Sequence, residues 1–376
     1  MSDTGRNVVF LSAFHDYRTA KRGSIQQVAD GLVELGYNVS FISTRYSYLS
    51  KITGDSRLFL WDKANWVESV NDIDCFLWRT SVHPFQSRNK VINAISARLY
   101  PRYSELPSRQ FDRFIREADY VILESSVAAI FMRRIKRLNP DVKIIYYATD
   151  RLDTVGAHPF IRERLEADVD LIHHICLRSP KMMSDFQWAA GKLYRAEFGI
   201  DADDFASVGA NPYRSGRRAA ISVGSMLFDP TFFQRAAAHF PDVDFHVIGC
   251  GATFEAPANV LIHPEMKFVD TLPYVKYAAI GVAPYRPAPG VEYLAESSLK
   301  LAQYEYFALP AVCPSFAAGD VASRFGYEPN DEASICEAVS RALGAAGTFA
   351  PRTFLSWKEV AERVVHPEQH SGSKIG

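Results

Sequence analysis

The chain has 376 residues, 48% hydrophobic and 13% aromatic, with 42 Lys+Arg against 43 Asp+Glu for a net charge of −1. That length exceeds the ~100–200 residues of one soluble core, so two domains are expected; the balanced charge and the lack of a recognisable nucleic-acid module argue against nucleic acid as a partner. No apolar run approaches the ~18–20 residues of a spanning helix, residues 1–6 carry no signal-peptide pattern, and five scattered cysteines read as buried thiols rather than disulfides or a zinc site.

In chain order, apolar segments alternate with helical periodicity, which predicts an α/β protein with parallel sheets. Strands are expected at residues 8–14, 39–43, 75–78, 120–124, 143–148, 171–177 and 193–198, with helices at 24–35, closed by Gly36, and 126–138, closed before Asn139-Pro140. After the third strand, residues 79–104 hold Arg79, Arg88, Lys90, Arg98 and Arg102 and no acidic residue, with Ile92, Ile95 and Leu99 at helical spacing. Two readings stand side by side. One is an amphipathic helix packed on its own sheet with a solvated basic face; the other lies on an anionic membrane, where each basic residue adds about 1 kcal/mol. The charge is uneven on a larger scale too, since residues 1–200 carry 28 Lys+Arg against 23 Asp+Glu and the remainder 14 against 20.

The strand at 143–148 ends in Thr149-Asp150-Arg151, placing a carboxylate where a doubly wound sheet presents its functional groups. Asp150 is the preferred general base; its other readings are a cap for the following segment or a partner for Arg151. Glu124, at another strand end, is the rival, and it reads equally as a cap of the helix at Ser126. His83 near a strand end and His173-His174 inside an apolar strand read as structural. The pattern then lapses over 199–218, rich in Gly, Asp, Asn and Pro, which reads as an interdomain linker.

A second alternating series follows, with strands at 220–223, 243–248, 260–263, 280–283 and 311–313. Gly249-Cys250-Gly251 lacks the third glycine of a dinucleotide loop and reads as a tight turn. Ser225 lacks the glycine two residues on that a nucleophile elbow requires, which disfavours a serine hydrolase. More informative is the strand at 280–283, which runs through a Pro- and Gly-rich loop to a helix opening at Glu296-Ser297-Ser298, with Lys300 in its first turn. A helix start favours an anion, and a lysine there calls for one, so a phosphate or diphosphate held by backbone N–H groups and Lys300 is expected. The last helix, near 356–365, is expected to cross back to the first domain, and the tail after Val365 to be disordered.

Phe14-His15-Asp16-Tyr17-Arg18-Thr19, Arg45-Tyr46-Ser47, Leu77-Trp78-Arg79-Thr80, Val223-Gly224-Ser225-Met226-Leu227-Phe228-Asp229-Pro230, Glu265-Met266-Lys267 and Ser297-Ser298-Leu299-Lys300-Leu301 carry a resemblance. Over about residues 11–365 the chain resembles the GumK family of xanthan-pathway glucuronosyltransferases, glycosyltransferase family 70. The resemblance implies a GT-B fold, two Rossmann-like doubly wound domains facing a central cleft. Residues 1–200, joined by a C-terminal helix at about 356–376, would bind acceptor and membrane, and 201–355 the nucleotide sugar. It implies an inverting transfer of glucuronic acid, without metal or other cofactor, from UDP-glucuronate to the terminal mannose of a polyprenyl-diphosphate-linked oligosaccharide. Asp150 falls on the family's catalytic aspartate, and Met226, Glu265, Tyr285, Lys300 and Gln303 on its UDP-contacting positions, with Ser297 and Ser298 at the helix start. Arg79, Arg88, Lys90 and Arg98 become the contact with anionic lipids at the cytoplasmic face of the inner membrane, where the protein would sit peripherally. Leu299 replaces a family methionine, a swap of similar volume, and Arg151 replaces a glycine, which leaves the sugar specificity open. The alternatives are a UDP-sugar transferase with another donor or acceptor, an epimerase or phosphorylase on the same scaffold, and a binding module without catalysis.

Overall fold

The computed structural model describes residues 5–375 apart from 21, 88, 201, 207 and 215. The chain divides into two units, Met1–Glu197 with Trp357–Gly376, and Phe198–Ser356. In the first, the strands are β1 (Asn7–Ser12), β2 (Asn38–Ser47), β3 (Val67–Val70), β4 (Ile73–Thr80), β5 (Tyr120–Glu124), β6 (Lys143–Ala148), β7 (Ile172–Leu177) and β8 (Leu193–Arg195). They lie in the order β3-β4-β2-β1-β5-β6-β7-β8. All neighbours run parallel except the β3–β4 hairpin. The order reverses between β1 and β5, and such a switch point opens a crevice at the carboxyl ends of the strands. Near-continuous apolar runs build these strands because both sheet faces are covered. All five residues of β5 are buried, Glu124 among them.

The helix Trp357–Val365 packs against the helix Ser24–Glu34 in this unit. Gly31 permits the approach: a Cβ there would sit 2.6 Å from the Trp357 carbonyl oxygen. Alanine favours a helix by about 1 kcal/mol over glycine, but overpacking costs about 1–3 kcal/mol. Gly31→Ala is therefore expected to lower the melting temperature; an increase would show that propensity outweighs the contact.

His174 of β7 ties the same helix down, its Nε2 donating to the Val364 carbonyl at 2.8 Å. Burial is the main force pushing its pKa down, to about 4. Because the folded value lies below the unfolded value of ~6.5, the unfolded chain takes up the proton first. The stability contribution, on the order of 3 kcal/mol, is complete above pH 6.5 and is lost as the pH falls toward 4. Replacing His174 by glutamine is expected to flatten that part of the stability–pH curve, measured by urea unfolding.

The tail corrects the sequence reading. Far from being disordered, it pairs with the edge strand β8: Tyr194 bridges Lys374, the Arg195 N–H donates to the Ser373 carbonyl at 2.7 Å, and the Ile375 N–H to that of Leu193 at 3.0 Å.

The second unit holds β9 (Arg218–Val223), β10 (Val243–Ile248), β11 (Val260–His263), β12 (Ile280–Val282), β13 (Ala311–Pro314) and β14 (Arg324–Tyr327). They are all parallel, in the order β11-β10-β9-β12-β13-β14. The switch point falls between β9 and β12. The supposed linker is also more than a tether. It contains the short helix Ala202–Ala206, whose Phe205 packs with Ile200 and Leu272 in a satellite core, and Tyr213 donates to the Tyr274 carbonyl at 2.5 Å.

Candidate active site

In the second unit the loops after β9, β10, β11 and β12 meet at the switch point. After β9 the chain turns through Gly224 at φ 91° and Leu227 at φ 47°, holding Met226 41% exposed between them. The turn is stitched to the loop after β12: the Arg286 N–H donates to the Leu227 carbonyl at 2.7 Å and the Asp229 N–H to that of Pro284 at 2.8 Å. Gly249 and Gly251 form the expected tight turn, both at positive φ. A Cβ on Gly249 would lie 3.4 Å from Glu265 Cα, and one on Gly251 would lie 3.3 Å from Ser225 Cβ. These glycines let Glu265 and Ser225 approach, and Glu265 keeps its carboxylate exposed.

The helix carrying Lys300 starts later than the sequence reading placed it. Leu294–Ser297 is a separate helical turn, Ser298 leaves the helical region at ψ 107°, and the main helix runs Leu299–Tyr306. Ser298 caps it, accepting from the Leu301 N–H at 3.2 Å, and its Oγ also lies 2.5 Å from the Tyr285 hydroxyl. Glu296 and Ser297 thus belong to the preceding turn, and Ser298 is partly spent on the protein. Ser297 is the informative member, because its buried Oγ has no hydrogen-bond partner among the described residues. A buried hydroxyl left unpaired costs about 1–3 kcal/mol, a penalty that a ligand atom relieves. Tyr285 is buried, with Lys300 Nζ 5.4 Å from its ring centroid, so it forms the floor beneath the ammonium. Burial pushes its hydroxyl far above the usual phenol range, keeping it neutral. Gln303 follows Lys300 by one turn and is 8% exposed.

Tyr304 locks this helix to the switch point, donating to the Ile221 carbonyl at 3.0 Å and lying 3.2 Å from that of Val282. The Tyr304 ring occupies the space that a Cβ on Gly281 would need. At the far end, buried Glu305 holds Arg324 and Arg352. The helix start is thereby a rigid set of N–H groups beside an ammonium and an orphan hydroxyl, which suits a diphosphate.

In the first unit, the strand ends at the switch point bring together Ser12, His15, Glu124 and, after β6, Asp150. The Ser12 hydroxyl bonds Glu124 Oε2, and His15 Nε2 stands 3.4 Å from Oε1. Burial raises the Glu124 pKa; His15 and Ser12 oppose this, and the nearby charge of Asp150 adds to it. Glu124 is thus buried with both oxygens engaged by Ser12 and His15, whereas Asp150, beyond the end of β6, is half-buried. Arg151 turns away to Asp185, at 2.7 Å, so its charge is met within its own fold. Sequence reasoning gave no role to Ser12 or His15; their strand-end position was the available signal.

The basic segment forms two short helices, Lys90–Ser96 and Leu99–Ser104. Its apolar residues point outward: Val91 is 70% and Ile95 62% exposed. Packing on its own sheet is thereby excluded for that face. Arg79 lies 4.5 Å from the Trp61 ring centroid and donates to the Trp61 carbonyl at 3.1 Å, while Arg98 precedes the second helix as its cap residue. Arg88 and the Lys90 side chain lie outside the described residues. Among the described residues no three His, Cys, Asp or Glu side chains gather as a metal ion requires, and no helix is long and apolar enough to cross a membrane.

Residues 10–178 match the model of the N-terminal domain of glucuronosyltransferase GumK. The UDP-glucuronate:glycolipid 2-beta-glucuronosyltransferase of Xanthomonas campestris pv. campestris is 38% identical over 367 residues, covering 97% of this chain and 90% of that protein. The chain belongs to the GumK glucuronosyltransferase family. Among solved structures, the trehalose-6-phosphate synthase OtsA superimposes with a TM-score of 0.63 at 12% identity, covering 96% of each chain. The α,α-trehalose 6-phosphate synthase of Burkholderia multivorans does so at 0.60 and 12%, covering 97% of this chain and 93% of that one. These distant likenesses establish the fold alone, which is GT-B. The span matched by the GumK N-terminal domain contains Glu124, Asp150 and the basic segment.

Proposed function

We propose that this protein transfers glucuronic acid from UDP-glucuronate to a sugar hydroxyl of a glycolipid, with inversion at the anomeric carbon. What carries the reading is the helix start at Ser298, with Lys300 and the orphan Ser297 hydroxyl, in a chain 38% identical to a glucuronosyltransferase named for that donor. Asp150 takes the proton from the acceptor hydroxyl as its oxygen bonds to C1 of the donor and the C1–O bond to the diphosphate breaks. UDP leaves with the electron pair. Lys300, the N–H groups of the first turn and Ser297 meet the charge that develops on it, which supplies the role a metal ion plays elsewhere. Glu265 accepts from ribose hydroxyls, Met226 and the Tyr285 floor pack the nucleotide, Ser298 fixes the helix start, and Gln303 donates along the same face. The acceptor is read as mannose-terminated and polyprenyl-diphosphate-linked. Arg79, Arg88, Lys90 and Arg98, together with outward Val91 and Ile95, would hold the protein peripherally against anionic lipid at the cytoplasmic face of the inner membrane.

Calorimetry with a panel of nucleotide sugars, followed by transfer to a mannose-terminated lipid acceptor, tests this. UDP-glucuronate is expected to bind selectively and to label the acceptor. Tighter binding of another UDP-sugar would reassign the donor, and turnover without any acceptor would favour an epimerase.

A further inference from the structure

Arg45 and His83, at the carboxyl edge of β2 and β4, have no part in the roles described above. Arg45 sits where the register of β2 slips between Ser43 and Tyr46, at φ 53°, a left-handed conformation that an arginine rarely adopts. The bulge is held open from inside. Buried Arg57, paired with Asp55 at 2.8 Å, donates to the carbonyls of Thr44 at 3.0 Å and Arg45 at 3.3 Å, and the Arg45 N–H donates to the Tyr103 hydroxyl at 2.5 Å. Strain kept by so many contacts points to a use for the side chain it presents.

The Arg45 guanidinium donates through Nε to the Pro84 carbonyl at 3.1 Å and lies 5.7 Å from the Phe14 ring centroid. Among the described residues no carboxylate pairs with it; the nearby Asp55 is taken by Arg57. Next to Pro84, His83 Nδ1 lies 2.9 Å from the Ser47 hydroxyl, which itself accepts from the Leu49 N–H. In the tautomer in which the serine proton goes to Nδ1, Nε2 carries an N–H, a second donor with no protein partner among the described residues. Burial and the charge of Arg45 push the His83 pKa down to about 4, so it stays a neutral donor at physiological pH.

Beside these donors lies an apolar surface unlike an ordinary protein exterior. Tyr48, Leu49, Ile52, Phe59 and Trp66 are all exposed, Ile52 by 81% and Trp66 by 73%. Lys51 and Arg79 stack at 4.0 and 4.5 Å from the Trp61 ring centroid, without a carboxylate partner among the described residues. Anion donors next to exposed aromatic and aliphatic side chains with cations among them match an amphiphile that carries a phosphate.

We propose that Arg45 and His83 bind the diphosphate of a lipid-linked acceptor, with the Tyr48–Trp66 surface receiving its hydrocarbon chain. This rests on the glycolipid-acceptor reading above and adds to it the place where the lipid's phosphates are held.

The test compares the wild-type enzyme with Arg45→Gln and His83→Gln on two mannose-terminated acceptors, one linked through a diphosphate to its lipid and one an alkyl glycoside without phosphorus. Losing a charge-assisted hydrogen bond should reduce the preference for the diphosphate acceptor, as a ratio of kcat/KM, by about 10- to 100-fold in Arg45→Gln, through KM. A smaller drop is expected in His83→Gln. A ratio that stays at the wild-type value in both variants overturns the proposal. With the wild-type enzyme alone, farnesyl diphosphate should compete with the lipid acceptor where farnesol does not, and equal inhibition by the two overturns it. Vesicles of phosphatidylglycerol and phosphatidylcholine separate the sources of phosphate. Equal sedimentation of wild type and Arg45→Gln supports the acceptor, whereas loss of vesicle binding in the variant assigns the arginine to bulk headgroups and overturns the assignment. If the wild-type protein transferred no glucuronic acid, the reading of its function would fail. Binding of farnesyl diphosphate, followed by tryptophan fluorescence, would still decide the anion site.

Discussion

Asp150→Ala is expected to lower transfer by about 10²- to 10⁴-fold, the usual contribution of a positioned general base, while UDP affinity by calorimetry stays at the wild-type value. The physical reason lies in the pair at the switch point of the first unit. Glu124 is buried and both of its oxygens are engaged, one by the Ser12 hydroxyl and one by His15, so it presents no free oxygen to an acceptor hydroxyl, whereas Asp150 is only half-buried. Glu124→Gln, which keeps the size and one accepting oxygen, is expected to cost far less than the aspartate change. The opposite ranking in a transfer assay would make Glu124 the base.

Lys300→Ala is expected to weaken UDP binding by about 10- to 100-fold, the ~1.5–3 kcal/mol of a hydrogen bond to a charged group. Uridine binding should hardly change, because the ammonium addresses the diphosphate and not the nucleoside. The floor beneath it does not depend on the lysine: Tyr285 is held by Ser298, and the helix by Tyr304 bonded to Ile221. The loss should therefore appear without a fall in melting temperature. Equal losses for UDP and uridine would mean that the helix start had collapsed, and the diphosphate role would be withdrawn.

The central strands were legible because both faces of each are covered, so the pattern is a run of Val, Ile, Leu and Tyr rather than an alternation. β3 and β14 were not, since each is four residues long with little full burial, and Val67-Glu68-Ser69-Val70 has no apolar run at all. The ordered tail left no trace either, because what fixes Ser373 and Ile375 is backbone hydrogen bonding to β8, which is indifferent to side chains. At the candidate site, Lys300 beside two serines announced an anion, and that part was readable from residue types alone. Which serine remains open to a ligand was not, for it depends on Tyr285 reaching back across 13 residues to Ser298. Likewise Glu124 and Asp150 were visible as separate strand-end carboxylates, but their mutual influence follows from the strand order, which places β5 beside β6. Arg45 is the extreme case: nothing in Thr44-Arg45-Tyr46 signals a bulge at positive φ.

The return of Trp357–Val365 and the tail to the first unit has a consequence for biosynthesis. Residues 1–197 leave the ribosome with the groove at Gly31 unfilled and the outer edge of β8 unpaired. At ~5–20 residues per second, making the intervening segment takes roughly 10–30 s. That is ample time for the second unit to finish folding before the first can close. The nascent first unit passes that interval with a bare sheet margin, the feature most prone to mispairing, until residues 373–375 reach β8.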